Sequence, residues 1–390
     1  MIRTPILVTF LLLVAASLGA EELVINWAVP LKNEFASIKK REFAAPLYRD
    51  GLIYVALRDG RLMVFGRDGR KAGERRFTGG FVVPPVEVAG GVLVCESHTA
   101  HLLENGSLRD RWAVAGRSPV VARPFSQPEG LYLQFLEHTV YLVDPADGAV
   151  KANYTFYGES QLSYLMLSQP VAYEDKRVFG FSNGQVFFFL YRKDTYGVDE
   201  ILPFYKYQTG EIQVGAEKRD FYDIFSLLPG SEGMLLFSNG EAGGSIRVSN
   251  GAVTKTGELR NLTLKERADG TVLAYGEAGA LVLAKDGTVE RRLFSSPSFV
   301  TGVVEAGPYA LVTEMHGVVS LYLSDLSRKL ATVRIPQGVS NGGVWGDGAF
   351  YLLSDMGTLY SFGVVKKEKD QKILEKSAEP DMKSDSSRTK

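Results

Sequence analysis

Apolar and polar positions repeat along this chain in one recurring order. At residues 130–150, GLYLQFLEHTVYLVDPADGAV, Leu131, Leu133 and Phe135 alternate with Tyr132 and Gln134; a polar break follows, and Tyr141, Leu142 and Val143 form a second apolar run. Period-two alternation is the pattern of a strand, and Asp147-Gly148 supplies the positive φ values of a tight turn. The same order returns at 51–75 (GLIYVALRDGRLMVFGRDGRKAGER) and at 348–363 (GAFYLLSDMGTLYSFG), with weaker copies starting at Gly90, Lys176, Gly233, Gly270 and Tyr309. About eight copies at a period of roughly 35–50 residues predict a solenoid or propeller rather than unrelated hairpins. No helix of normal length declares itself by a 3.6-residue stripe, so the expected class is all-β.

Residues 22–30, ELVINWAVP, precede the first full copy. Their Asn26-Trp27-Ala28-Val29 echoes Arg111-Trp112-Ala113-Val114, which closes the second copy, whereas the last copy has no closing strand. The expected fold is therefore an eight-bladed β-propeller of four-stranded blades over residues 21–365, the N-terminal strand completing the C-terminal blade. Closure of this kind removes exposed sheet edges. Turn chemistry separates the blades at Val83-Pro84-Pro85, Ser118-Pro119, Gln169-Pro170, Ser296-Pro297 and Ser340-Asn341-Gly342-Gly343. Two stretches break the rhythm: 154–168, a long exit from the third blade, and 192–228, an aromatic and charged join between the fourth and fifth. Insertions in a repeat protein map to loops and often form its binding face.

Composition adds bounds. The chain has 390 residues, 45% hydrophobic and 23% charged, with a net charge of -1, so it can bury a large core but carries no basic field for nucleic acid. Residues 1–20 read as an export signal, with Arg3 ahead of an apolar run at 6–16 and small residues at Ser17-Leu18-Gly19-Ala20; an uncleaved anchor is the alternative. No Cys follows that run, so no lipid anchor is expected. Residues 366–390 read as a charged, solvated tail. Cys95, the one cysteine, cannot form an intrachain disulfide, and its place in Val92-Leu93-Val94-Cys95 favours buried packing over a reactive thiol.

Candidate chemistry is sparse. His98 and His101 stand three apart, a spacing that points them to opposite faces of a strand, and no third ligand accompanies them, so no metal site is expected. No G-x-S-x-G, H-E-x-x-H or phosphate-loop pattern is present. Trp27, Trp112 and Trp345 read as blade packing. No catalytic residue and no cofactor are expected. The competing reading is a small-ligand or enzymatic site in the central channel, built from blades that meet only in space.

The repeat resembles that of the PQQ-like propeller superfamily: Leu142-Val143-Asp144-Pro145-Ala146-Asp147-Gly148 looks like its A-L-D-x-x-T-G stretch, and Arg111-Trp112 like its closing tryptophan. Within that superfamily the chain is similar to the BamB-like factors of outer-membrane β-barrel assembly, in length, export signal, repeat number and N-terminal latch. Tyr154-Thr155-Phe156-Tyr157-Gly158-Glu159-Ser160 resembles the loop those factors turn towards their barrel-assembly partner, with Tyr154 and Phe156 at its two leucines and Tyr157 at its arginine. The segment 217–223 is similar to the acidic loop of the same surface, with Asp223 at one of two aspartates and Phe225 at the other. The resemblance implies a monomeric periplasmic scaffold for protein partners, with Tyr154, Phe156, Tyr157 and Glu159 as contacts and Asp220 and Asp223 as rim charges; blade packing is the alternative for these side chains. Quinoprotein dehydrogenases share the fold, but their adjacent cysteine pair is impossible with Cys95 alone, so no bound PQQ is expected.

Overall fold

In the computed structural model, residues 21–32, 41–136, 139–156, 168–181, 184–209, 224–240, 242–277 and 279–366 are described. They form eight four-stranded antiparallel sheets. Seven sheets take their strands in chain order, and blades 1 to 7 span 47–76, 86–115, 125–155, 171–208, 226–256, 262–294 and 300–334. Blade 8 combines Val344–Gly346, Ala349–Leu353 and Thr358–Lys366 with the N-terminal strand Glu21–Pro30 as its outermost member. The predicted latch is present. First strands touch between blades 7 and 8, 8 and 1, 1 and 2, 4 and 5, and 5 and 6, and shared apolar clusters bridge the other three joins, so the ring is closed.

The repeating sequence unit is the hairpin of each blade's second and third strands. These strands are covered on both faces by neighbouring blades and read as near-continuous apolar runs: in blade 1, Leu52–Ala56 and Arg61–Gly66 are buried almost throughout. The outer strands face solvent on one side and alternate, as Asp110–Ala115 does with Trp112 and Val114 inward. Apolar packing follows the same division. Eight buried clusters are found, each joining two adjacent blades, including Tyr351, Leu353 and Leu359 of blade 8 with Ile53, Val55 and Phe65 of blade 1.

An aromatic on one blade's outer strand docks on a turn of the next blade. Trp27 donates its Nε1–H to the Arg67 carbonyl at 2.8 Å, and Trp112 donates to the Pro145 carbonyl at 3.0 Å. Each ring lies over a glycine: a Cβ on Gly69 or Gly148 would stand 2.9 Å from it, and both glycines have positive φ (79° and 80°). Tyr207 of blade 4 repeats the device, donating its hydroxyl to the Val248 carbonyl at 2.5 Å above Gly251. Trp345 differs, lying on blade 8's inner strand against Phe350 at 4.5 Å between centroids. Replacing Gly148→Ala imposes a left-handed conformation on a Cβ and pushes it into Trp112. The expected cost is about 1–3 kcal/mol, read as a lower urea midpoint at unchanged slope.

Candidate functional site

Antiparallel order within each blade fixes which connections share a face. Links from second to third strand, and from an outer strand to the next blade's inner strand, all leave at the same end. The segments 157–167 and 210–223 follow the outer strands of blades 3 and 4, so they depart from adjacent blades on one face. Their described flanks meet. Ile224 donates its N–H to the Phe181 carbonyl at 3.3 Å, and a Cβ on Gly180 would stand 2.5 Å from Ile224 Cγ2 and 2.8 Å from Ser168 Oγ. Only glycine lets these two flanks converge on blade 4.

Beneath that junction lies an aromatic box. Tyr154 and Phe156 of blade 3 pack edge-on against Phe189 at 5.1 and 5.2 Å, and Phe156 also meets Phe181 at 4.6 Å and Phe187 at 5.3 Å. Tyr154 is half-buried, and Phe156 is 4% exposed. Phe156 was expected to face a partner; here its ring drops between blades 3 and 4, because Phe181, Phe187 and Phe189 offer it edge-to-face contacts. Tyr157, Glu159, Asp220 and Asp223 lie outside the described residues.

The expectation of one irregular insertion over 192–228 is corrected. Residues up to Gln208 continue the blade: Gln185–Lys193 and Asp199–Gln208 pair as its longest hairpin, turning at Asp194, whose carboxylate accepts the N–H groups of Tyr196 and Val198 at 2.8 Å. Tyr205 and Tyr207 are thus strand residues packed on Phe188. A register shift between Phe188 and Phe189 lifts Phe204 outward, where Lys176 lies 5.4 Å from its ring centre. Tyr196 at the tip is 90% exposed. The sequence marks this stretch, Tyr196, Tyr205 and Tyr207 included, as aromatic and charged, but those same residues hide the alternation of the strand that follows the turn, and Phe204 goes unmarked.

The remaining chemical candidates are packed or paired. Cys95 is buried between blades 2 and 3, and burial pushes its thiol up to about 12, which suppresses the reactive thiolate. That position leaves no thiol to stand beside a quinone in the channel, so the residues present do not fit PQQ held as the quinoproteins hold it. His98 and His101 are not on one strand: His98 occupies the turn ahead of Thr99–Glu104, exposed, while His101 is buried between Glu96 at 3.4 Å and Asp110 at 3.2 Å. Among the described residues no group of three or more His, Cys, Asp or Glu is placed to hold a metal ion, and no helix is long and apolar enough to cross a membrane.

No family model and no curated protein matches this chain. Solved structures do. BamB from Moraxella catarrhalis superposes with a TM-score of 0.66 at 15% identity, covering 87% of this chain and 99% of that one. Quinohemoprotein alcohol dehydrogenase ADHIIG from Pseudomonas putida HK5 gives 0.63 at 12% identity, over 91% and 78%. Saccharomyces cerevisiae Sqt1 gives 0.63 at 12%, over 84% and 96%. At these identities the likeness is one of fold: the chain is an eight-bladed β-propeller of the architecture seen in BamB and in quinohemoprotein alcohol dehydrogenase.

Proposed function

We propose that this protein is an exported, non-catalytic scaffold for protein–protein interaction, and that it serves outer-membrane β-barrel assembly as a BamB-like accessory. One observation carries the reading: the two irregular segments leave adjacent blades on one face, and their flanks meet over Gly180. In this reading residues 1–20 direct export and are removed, residues 21–365 form the propeller in the periplasm, and 366–390 form a solvated tail. A rigid ring fixes the ends of such segments, which lowers the ordering cost of binding. Tyr157, Glu159, Asp220 and Asp223 meet the partner directly. Tyr154 and Phe156 act from beneath, as an aromatic floor shared by blades 3 and 4.

A photo-crosslinking residue placed at Tyr157 or Asp223 in the exporting cell tests this. The expected product, identified by mass spectrometry, is an outer-membrane barrel-assembly protein, with none formed from Asp269 on the opposite face. Recovery of unrelated envelope proteins alone rejects the assembly role and keeps the scaffold. Equal yields from Asp269 reject the site.

A further inference from the structure

A second surface lies on the same face, centred on blades 1 and 2 and reaching the near edge of blade 3. Starting from blade 8 the connections run hand to hand: Arg58 N–H to a Glu42 carboxylate oxygen at 2.8 Å, Phe81 N–H to the Leu57 carbonyl at 3.2 Å, and Ser97 N–H to the Gly80 carbonyl at 3.4 Å. They continue with Gly116 N–H to the His98 carbonyl at 2.8 Å, Val120 N–H to the Ser97 carbonyl at 2.9 Å, and Leu136 N–H to the Pro119 carbonyl at 2.8 Å. The result is one continuous arc over blades 1 to 3.

Two kinds of side chain stand out along it. Phe43, Val82 and Leu136 are exposed at 43%, 44% and 36%. Arg41, Arg117 and Arg123 are exposed between them, and half-buried Arg58 sits 5.3 Å above the Phe43 ring. Among the described residues, none of these four arginines is in an ion pair. The carboxylates of the arc are already engaged: buried Asp355, which feels the charge of Arg41, accepts from the Ser340 N–H and hydroxyl, Glu42 is buried against Lys32, Asp59 holds Arg61 at 2.7 Å, and buried Glu96 accepts the Gly79 N–H at 2.5 Å and faces His101.

The structure assigns this arc as a docking surface for an acidic peptide segment that carries aromatic or aliphatic residues between its carboxylates. Guanidinium groups match carboxylates by paired hydrogen bonds, and the interleaved apolar side chains give the segment's own apolar residues a place to sit. With a net charge of -1, the molecule has no general field to draw in any polyanion, so charge complementarity here is local. The arc also follows the ring through successive blades, a path that suits an extended chain better than a flat bilayer. This surface lies away from the blade 3–4–5 junction and stands or falls independently of the scaffold reading.

The probe is a fluorescein-labelled synthetic peptide alternating Asp or Glu with Phe or Leu, titrated with the full-length protein and followed by anisotropy. Saturable binding that weakens as salt is raised is expected. The Arg41→Ala/Arg117→Ala/Arg123→Ala variant is expected to melt like the parent and bind about tenfold more weakly, as losing several rim charges implies. The same peptide with Asn and Gln for its acids is expected to lose a similar factor. Absence of saturable binding, equal binding of the Asn/Gln peptide, or an unaffected variant each overturns the proposal. So does stronger retention on phosphatidylglycerol vesicles than on the peptide, which transfers the arc to a membrane surface. If the triple variant melts early, Arg117→Glu alone is used, with the same loss expected.

Discussion

A chain that begins after Pro30 is expected to aggregate rather than to melt a few degrees lower. The strand Glu21–Pro30 pairs with Thr358–Lys366 from Glu21 opposite Lys366 to Pro30 opposite Thr358, with a bulge at Asn26. It is the outer strand of one blade and the wedge between two. Leu23 is 4% exposed in the cluster shared by blades 7 and 8, while Trp27 and Val29 pack into the cluster shared by blades 8 and 1. Burying Leu23 contributes about 2 kcal/mol, and half-buried Ile25, Trp27 and Val29 bring the strand to about 5–8 kcal/mol, comparable with the whole stability of a typical domain. Its removal also uncovers the edge of a nine-residue strand, a template for intermolecular pairing. Size exclusion and a circular-dichroism melt of the truncated chain measure this, and a synthetic peptide of residues 21–30 is expected to restore a monomeric, cooperatively melting protein in trans. A truncated chain that stays monomeric with nearly the parental melting curve would show that the ring does not depend on its latch.

The latch was legible because it repeats a word: Asn26-Trp27-Ala28-Val29 and Arg111-Trp112-Ala113-Val114 perform the same docking on Gly69 and Gly148. The third instance, Tyr207 over Gly251, was not, since a different ring does the work. The hairpins of second and third strands were legible because burial on both faces forces unbroken apolar runs. Inner strands such as Leu47–Arg49 and Val86–Val88 are three residues long, too short to show a period. The site was only half legible. Composition revealed that Tyr154 and Phe156 are aromatic at an irregular exit, but the direction of Phe156 is set by Phe181, Phe187 and Phe189, which lie on another blade. The arginine arc was invisible for the same reason: Arg41, Arg58 and the pair Arg117 and Arg123 sit on three separate connections, and only the fold brings these onto one face.

Arg177→Ala is expected to destabilise the fold by about 3–5 kcal/mol, the range for stranding a buried charge. Arg177 clasps Glu129 across blades 3 and 4, Nε to Oε1 at 2.6 Å and Nη2 to Oε2 at 2.8 Å, and the Tyr132 hydroxyl donates to the same Oε1 at 2.7 Å. The two side chains are 10% and 5% exposed. Burial alone pushes the Glu129 pKa up, but hydrogen bonds from Arg177 and Tyr132 outweigh it and hold the carboxyl below its ordinary value. A depressed folded pKa contributes stability that is fully present above the unfolded pKa and is lost as pH falls through the folded one. Without Arg177, burial dominates and the Glu129 pKa rises, so the variant's deficit is largest near neutrality and shrinks in acid as Glu129 takes up a proton. Urea unfolding of parent and variant across the acidic range reads this directly, and a deficit that stays constant with pH would mean that lost packing, not lost charge pairing, is the cause. The double variant Glu129→Leu/Arg177→Met is expected to be the milder of the two at neutral pH. Removing both charges spares the interface the desolvation penalty that makes the single substitution costly.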